Sequence, residues 1–197
     1  MQDSGPSAPI EALAELAGAF DNLKIPYLTG GSFASSTHGE YRATNDLDIL
    51  CKLELTVLPA LFTALRTGFI IDEIAVRTAV TLERSCNIIH EASFIKVDLF
   101  TKCGPYQLEQ LKRAVDIRLP GHDRSLKVAA PEDIILAKLT WYKNGGCVSE
   151  RQWRDILGVI RVQGTKLDLA YLQEHAKSQE TVELLAKARN ACGGVWA

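Results

Sequence analysis

A short stretch of the chain and one later residue combine side-chain types and spacing that could do chemistry. Leu28-Thr29 runs into Gly30-Gly31-Ser32, thirteen residues intervene, and Asp46 and Asp48 flank Leu47. Adjacent glycines between a strand and a helix let the backbone approach a ligand and leave amide N–H groups free to cradle phosphate oxygens, to which the Ser32 hydroxyl adds a donor. Alone, a Gly-Gly-Ser turn is most often only a turn. Residues i and i+2 of a strand share a face, so Asp46 and Asp48 present two carboxylates about 7 Å apart, with Leu47 and Ile49 turned toward a core. Like charges held side by side call for a cation, and hard oxygen donors suit Mg²⁺, or Mn²⁺ in its place. An isolated Asp-x-Asp reads better as the solvated face of an edge strand.

Asp98 shifts that balance. It sits in the otherwise apolar run Phe94–Phe100, where a buried, unpaired carboxylate is costly. If this strand lies beside the Asp46–Asp48 strand, three carboxylates converge as in a two-metal site. One ion then holds a triphosphate and the other activates an attacking hydroxyl. Asp98 is the general base or the ligand of the nucleophile-side metal.

The elements that must position these residues follow from periodicity. Leu13, Leu16, Ala17 and Phe20 recur at helical spacing, giving a helix from Ile10 to about Leu23 that Pro26 ends; residues 1–9 read as a frayed lead-in. Residues 27–29 form a short strand, 33–38 a short helix closed by Gly39, and 46–51 a strand with one acidic face. A helix over 57–66 stops at Gly68. Residues 69–71, 79–82 and 87–90 are candidate strands, and Ser93–Phe100 is the strongest strand in the sequence. Two more are expected near 115–119 and 126–129. After Pro131, which suits a first helical turn, Ile134, Ile135, Lys138, Leu139 and Tyr142 share a helix face, and Asn144-Gly145-Gly146 stops it. Helices near 149–162, 168–177 and 179–191 complete the chain. The expected organisation is an α+β core over residues 1–129 and a helical subdomain over 130–197.

With 197 residues, 47% hydrophobic and 23% charged, the chain is globular in composition and not intrinsically disordered. No apolar run reaches the roughly 18 residues of a membrane span, and the N-terminus lacks a signal-peptide pattern. A cytoplasmic protein without a membrane partner is expected. The five cysteines, 51, 86, 103, 147 and 192, form no Cys-x-x-Cys pair and read as buried or half-buried free thiols; with only four histidines, no two of them at helical spacing, zinc is not expected. The net charge of −2 hides a gradient: residues 1–50 hold seven acids and two bases, whereas residues 102–166 hold twelve bases and seven acids. That contrast suits carboxylates on a cation and bases on an anion, and equally a solvated surface.

Together, Gly30-Gly31-Ser32, Asp46-Leu47-Asp48-Ile49 and a later strand acid resemble the DNA-polymerase-β-type nucleotidyltransferase superfamily. Gly30-Gly31-Ser32-Phe33-Ala34, His38-Gly39, Arg42-Ala43-Thr44-Asn45-Asp46-Leu47-Asp48, the stretch Pro131–Leu139 and the segment from Arg151 to Asp155-Ile156-Leu157 resemble the compact bacterial AbiEii-like members. The resemblance spans about residues 10–162. It implies a mixed central β-sheet flanked by helices with a helical C-terminal part, and Mg²⁺-dependent transfer of a nucleoside monophosphate from an NTP to a hydroxyl. It assigns Asp46, Asp48 and Asp98 to the metals, with Asp98 on the acceptor side. Gly30, Gly31 and Ser32 then hold the triphosphate, and Lys138 neutralises its charge. A toxin-type enzyme acting on RNA such as a tRNA, with an antitoxin as partner, is the implied role. The rivals are a small-molecule (antibiotic-type) nucleotidyltransferase and a non-catalytic nucleotide-binding or interaction domain of the same fold.

Several residues carry two readings. Arg42 and Thr44 immediately precede the acidic strand. The Arg42 guanidinium suits a phosphate, and equally a bridge to one of the aspartates that fixes the loop. Lys138, on the apolar side of its helix, must snorkel or reach an anion, and a phosphate is favoured. Asp155 reads as a structural partner of Arg151, four residues earlier. Lys143, Arg151 and Arg154 read as a solvated face, and Trp141, Trp153 and Trp196 as core or interface packing. No aromatic–basic alternation of a single-strand nucleic-acid platform is present.

Overall fold

A computed structural model describes residues 8–119 and 121–194. In chain order the elements are α1 (Ala8–Asn22), β1 (Tyr27–Thr29), α2 (Gly31–His38), β2 (Asp46–Cys51), α3 (Leu58–Leu65), β3 (Phe69–Ile70), α4 (Glu73–Thr81), β4 (Ser85–His90), β5 (Lys96–Phe100), α5 (Pro105–Arg113), β6 (Val115–Arg118), β7 (Ser125–Val128), α6 (Pro131–Asn144), α7 (Glu150–Gln163), α8 (Leu169–Ser178) and α9 (Val182–Ala191). The chain divides into two compact units. One comprises the residues up to Gly30 with Thr44–Ala129; the other comprises Gly31–Ala43 with the chain from Ala130 onward.

The first unit holds a mixed seven-stranded sheet in the order β3-β4-β5-β2-β1-β7-β6. This is the mixed sheet with flanking helices that the sequence implied. At its centre β2 pairs β5 in parallel and β1 antiparallel. Leu47, Ile49 and Cys51 of β2, Val97 and Leu99 of β5, and Ile88 of β4 are buried, so one sheet face is apolar. Helix α1 packs on α3 and β7 through Leu13, Leu16 and Phe20, and α4 packs on β4. Removing such side chains from water is the main stabilising term, about 1.5–3 kcal/mol for each large one.

The second unit is helical. Helix α6 packs against α7 and α2, while α8 and α9 close the set. Gly39, just after α2, permits close approach to α7: a Cβ there would lie 2.7 Å from the Val159 backbone nitrogen. Tyr142 of α6 stacks on Trp153 of α7 with ring centroids 5.2 Å apart.

Several sequence expectations change. Residues 79–82 are not a strand: 79–81 end α4, because the Asp72 carboxylate caps the helix by accepting from the Ile74 and Ala75 amides, and Val76 and Ala79 bury one face. The Ser93–Phe100 strand begins only at Lys96, since residues 91–95 turn between β4 and β5 with Phe94 at a φ of 56° and exposed. Helix α5 is not among the expected elements; it is an amphipathic but largely polar helix with no fully buried residue. The frayed lead-in falls mostly on residues 1–7, outside the described residues; Ala8 and Pro9 already belong to α1. Trp141 is 61% exposed, so it is not part of the core, and Trp196 lies outside the described residues. All five cysteines are free; Cys51 and Cys192 are buried, whereas Cys147 is exposed. Burial pushes the Cys51 thiol well above its ordinary range, which keeps it inert. Among the described residues no helix is long and apolar enough to cross a membrane.

Candidate functional site

In the sheet unit, strand alternation and cross-strand register assemble the acids. Asp46, Leu47 and Asp48 pair with Lys96, Val97 and Asp98. With Leu47 and Val97 buried, the other face carries Asp46 beside Lys96 and Asp48 beside Asp98. On the far side of β5, Asn87 pairs with Asp98 and Ile89 with Lys96. The three acids named from sequence are therefore on one face, and Asp48 and Asp98 are neighbours. Lys96 joins them, although the sequence reading passed over it. Its Nζ lies 2.8 Å from Asp98 Oδ2. The hydrogen bond and charge of Asp98, with smaller contributions from Asp46 and Asp48, raise the Lys96 ammonium above its ordinary pKa. The i, i+2 rule that joined Asp46 to Asp48 would have joined Lys96 to Asp98.

The glycine turn begins beside this row. The Gly30 amide donates to the Asp48 carbonyl at 2.7 Å, continuing the β1–β2 ladder. A Cβ at Gly30 would meet only ordinary contact, so sterics do not demand glycine there. Gly31, by contrast, has a φ of 55°, where L side chains are strained. Thr44 braces the start of β2: its Oγ1 donates to the Asp46 carbonyl at 3.0 Å and accepts from the Asp46 amide at 3.4 Å.

In the helical unit, Asp155 of α7 is the node. Arg42 grips it in two parallel bonds, Nε to Oδ1 and Nη2 to Oδ2, both 3.1 Å. Lys138 Nζ donates to Asp155 Oδ2 at 2.7 Å and to Gln152 Oε1 at 3.1 Å. The Lys138 and Asp155 side chains are each only 6% exposed. The expected Arg151–Asp155 pair is thus replaced by Arg42–Asp155 and Lys138–Asp155. Arg151 instead donates to Ser32 Oγ at 3.4 Å, and Arg42 Nη2 also donates to that oxygen. The aspartate that Arg42 bridges is Asp155, and the anion that Lys138 reaches is the same carboxylate. Burial pushes the Asp155 carboxyl up, but the bonds and charges of Arg42 and Lys138 outweigh it and hold it below its ordinary range. Arg42 and Lys138 close on the Asp155 carboxylate, and Arg151 joins Arg42 at the Ser32 hydroxyl, so bases outnumber the acid in this group, which suits a further anion. Of the solvated bases, Arg154 is exposed and Lys143 pairs with Glu180 at 2.8 Å.

The donor chemistry of the sheet row fits a hard divalent cation, since Mg²⁺ needs only one or two protein carboxylates beside substrate phosphates and water. The acids are not drawn into a closed ligand set: among the described residues no three His, Cys, Asp or Glu side chains are gathered to hold a metal by themselves.

The fold has known counterparts. The crystal structure of an antigenic nucleotidyltransferase-like protein from Paracoccidioides brasiliensis superposes with a TM-score of 0.56 at 17% identity, over 95% of each chain. ANT(2")-Ia in complex with adenylyl-2"-tobramycin gives 0.55 at 11% identity, over 88% of this chain and 98% of that one. The lincomycin-bound lincosamide adenylyltransferase LnuA gives 0.50 at 13% identity, over 79% and 98%. At these identities the likeness is one of fold. The chain has a nucleotidyltransferase-like fold. No protein-family profile matches the sequence, and no curated protein matches it either.

Proposed function

We propose that the chain is a Mg²⁺-dependent nucleotidyltransferase that moves a nucleoside monophosphate from an NTP to an acceptor hydroxyl. The observation that carries this reading is the β2–β5 register, which puts Asp48 beside Asp98 with Asp46 on the same face. The acceptor oxygen bonds to the α-phosphorus, the bond from that phosphorus to the bridging oxygen breaks, and pyrophosphate leaves. Asp46, Asp48 and Asp98 hold the cation, which when bound supplies charge neutralisation and Lewis acidity. Asp98 stands on the acceptor side and takes or orients the hydroxyl proton. Gly30, Gly31, Ser32, Arg42, Thr44 and Lys138 bind the NTP, with Asp155 positioning Arg42 and Lys138. Catalysis is by placement and charge neutralisation, without a covalent enzyme intermediate.

The acceptor in this reading is RNA such as a tRNA, in a cytoplasmic toxin-type enzyme of the AbiEii-like kind with an antitoxin partner. The Arg42, Lys138 and Asp155 segments that carry the AbiEii-like resemblance meet in one partly buried cluster, and the RNA acceptor rests on that resemblance. A second reading, a small hydroxyl-bearing acceptor, is favoured by the ligands of two fold neighbours, adenylyl-2"-tobramycin and lincomycin. The test incubates the full chain with each α-labelled NTP and Mg²⁺, against total tRNA and against tobramycin and lincomycin. Label should transfer to one acceptor class and fall by at least about a hundredfold in Asp48→Asn. Mg²⁺-NTP binding without transfer would leave the non-catalytic nucleotide-binding rival standing, and absence of both would leave the interaction domain.

A further inference from the structure

Lys96 is the unexpected member of the carboxylate row. It pairs with Asp46 in the register, donates to Asp98 Oδ2 at 2.8 Å, and lies on the face that also carries Asp48. A flexible ammonium on a four-carbon stem is a point charge that can leave one oxygen for another or for water. We propose that Lys96 is the built-in counter-ion of this row and competes with the divalent cation for Asp98, so that metal loading displaces the Lys96 ammonium. The inference rests on the metal role proposed for Asp46, Asp48 and Asp98.

Two features argue for competition rather than a permanent structural pair. Asp46, Asp48 and Asp98 put three carboxylates on one sheet face, and a cation beside them lowers their mutual repulsion. Moreover, Lys96 is 46% exposed and Asp98 23%, so water can replace either partner when the pair opens. Asp98 cannot give the same lone pairs to Lys96 and to a metal. The displaced ammonium keeps its charge, so it opposes the arriving dication until it swings away. Lys96 thereby sets the metal concentration at which the row loads. It is a positioning residue, since it acts through Asp98.

The experiment measures Mg²⁺ and Mn²⁺ binding to the full chain without nucleotide, by calorimetry and by melting temperature against metal concentration. Lys96→Met keeps length and removes charge; Lys96→Arg keeps the charge; Asp48→Asn removes a proposed ligand. Lys96→Met should bind either metal about tenfold more tightly than wild type, from one repulsive charge near a dication. It should also melt lower in metal-free buffer and recover on adding metal, whereas Lys96→Arg should track the wild type in both. Metal affinity in Lys96→Met equal to or weaker than wild type, with Asp48→Asn still losing it, would overturn the Lys96 inference and leave the metal reading intact. No metal binding by wild type or Lys96→Met would overturn both.

Discussion

The two charged clusters use the same chemistry in opposite settings. On the sheet, Lys96 and Asp98 meet in an ion pair with one partner nearly half exposed, and the residues come from a single strand. In the helical unit, Arg42 and Lys138 close on an Asp155 carboxylate that is 6% exposed, and Arg42 and Asp155 stand 113 residues apart. Exposed pairs contribute about 0.2–1 kcal/mol because water screens them and their side chains lose freedom. A buried carboxylate with two cations differs: its removal strands charges that have already lost their hydration. The sheet pair can therefore open to water at little cost, whereas the helical cluster holds its bases on a carboxylate that water hardly reaches.

The contrast breaks most visibly at Asp155. Asp155→Ala should cost about 3–5 kcal/mol, because Lys138 stays buried without its carboxylate. Chemical denaturation measures it, and a loss below about 1 kcal/mol would make this cluster no different from a surface pair. The same carboxyl sets a pH dependence. Its folded pKa is lowered, so its stabilisation is fully present above the unfolded value, about 3.9, and is lost as pH falls through the folded one. Below pH about 4, wild-type stability should fall more steeply than that of Asp155→Asn, as read from denaturation midpoints between pH 5 and 2. Parallel slopes would assign the acid limb to other groups.

A smaller effect tests the backbone approach that supports the helical cluster. Gly39→Ala puts a Cβ against the α7 backbone, which cannot yield as a flexible side chain would. About 1–3 kcal/mol should be lost, in the range of overpacking. An unchanged melting temperature would mean that α2 and α7 separate easily. The smallest change belongs to the sheet. Asp48→Asn in metal-free buffer should shift stability by no more than about 0.5 kcal/mol, since it removes one of several like charges at a partly exposed position. A clear drop in melting temperature there would make Asp48 a structural residue like Asp155.

Much of the fold was legible because its signals are local. The β2 strand announces itself through alternation, and the α6 helix through Pro131, a 3.6-residue apolar period and the Gly145-Gly146 stop. The errors arose where a local signal points the wrong way. Residues 79–82 are rich in β-formers, yet most of them close a helix that Asp72 caps seven residues upstream. Helix α5 offers only Tyr106, Leu108 and Leu111 as apolar residues after Pro105 and buries none of them fully, so a search for apolar residues passed it by. Asp155 drew Arg151 as its partner by i, i+4 spacing, and tertiary packing supplied Arg42 and Lys138 instead.

The sequence by itself determined that Asp46 and Asp48 share a face, because strand geometry alternates side chains whatever the neighbours are. It likewise placed Lys138 on an apolar helix face, where an ammonium must find an anion or escape to water. Only the tertiary structure decided that β5 lies beside β2 in a register that puts Asp98 against Asp48, and that Lys96 comes with it. Only it decided that the anion for Lys138 is Asp155, shared with Arg42. Periodicity is a property of neighbouring residues along the chain. Register and long-range ion pairs are chosen by the packing of whole elements, which burial energy distributes over the core and no single residue encodes.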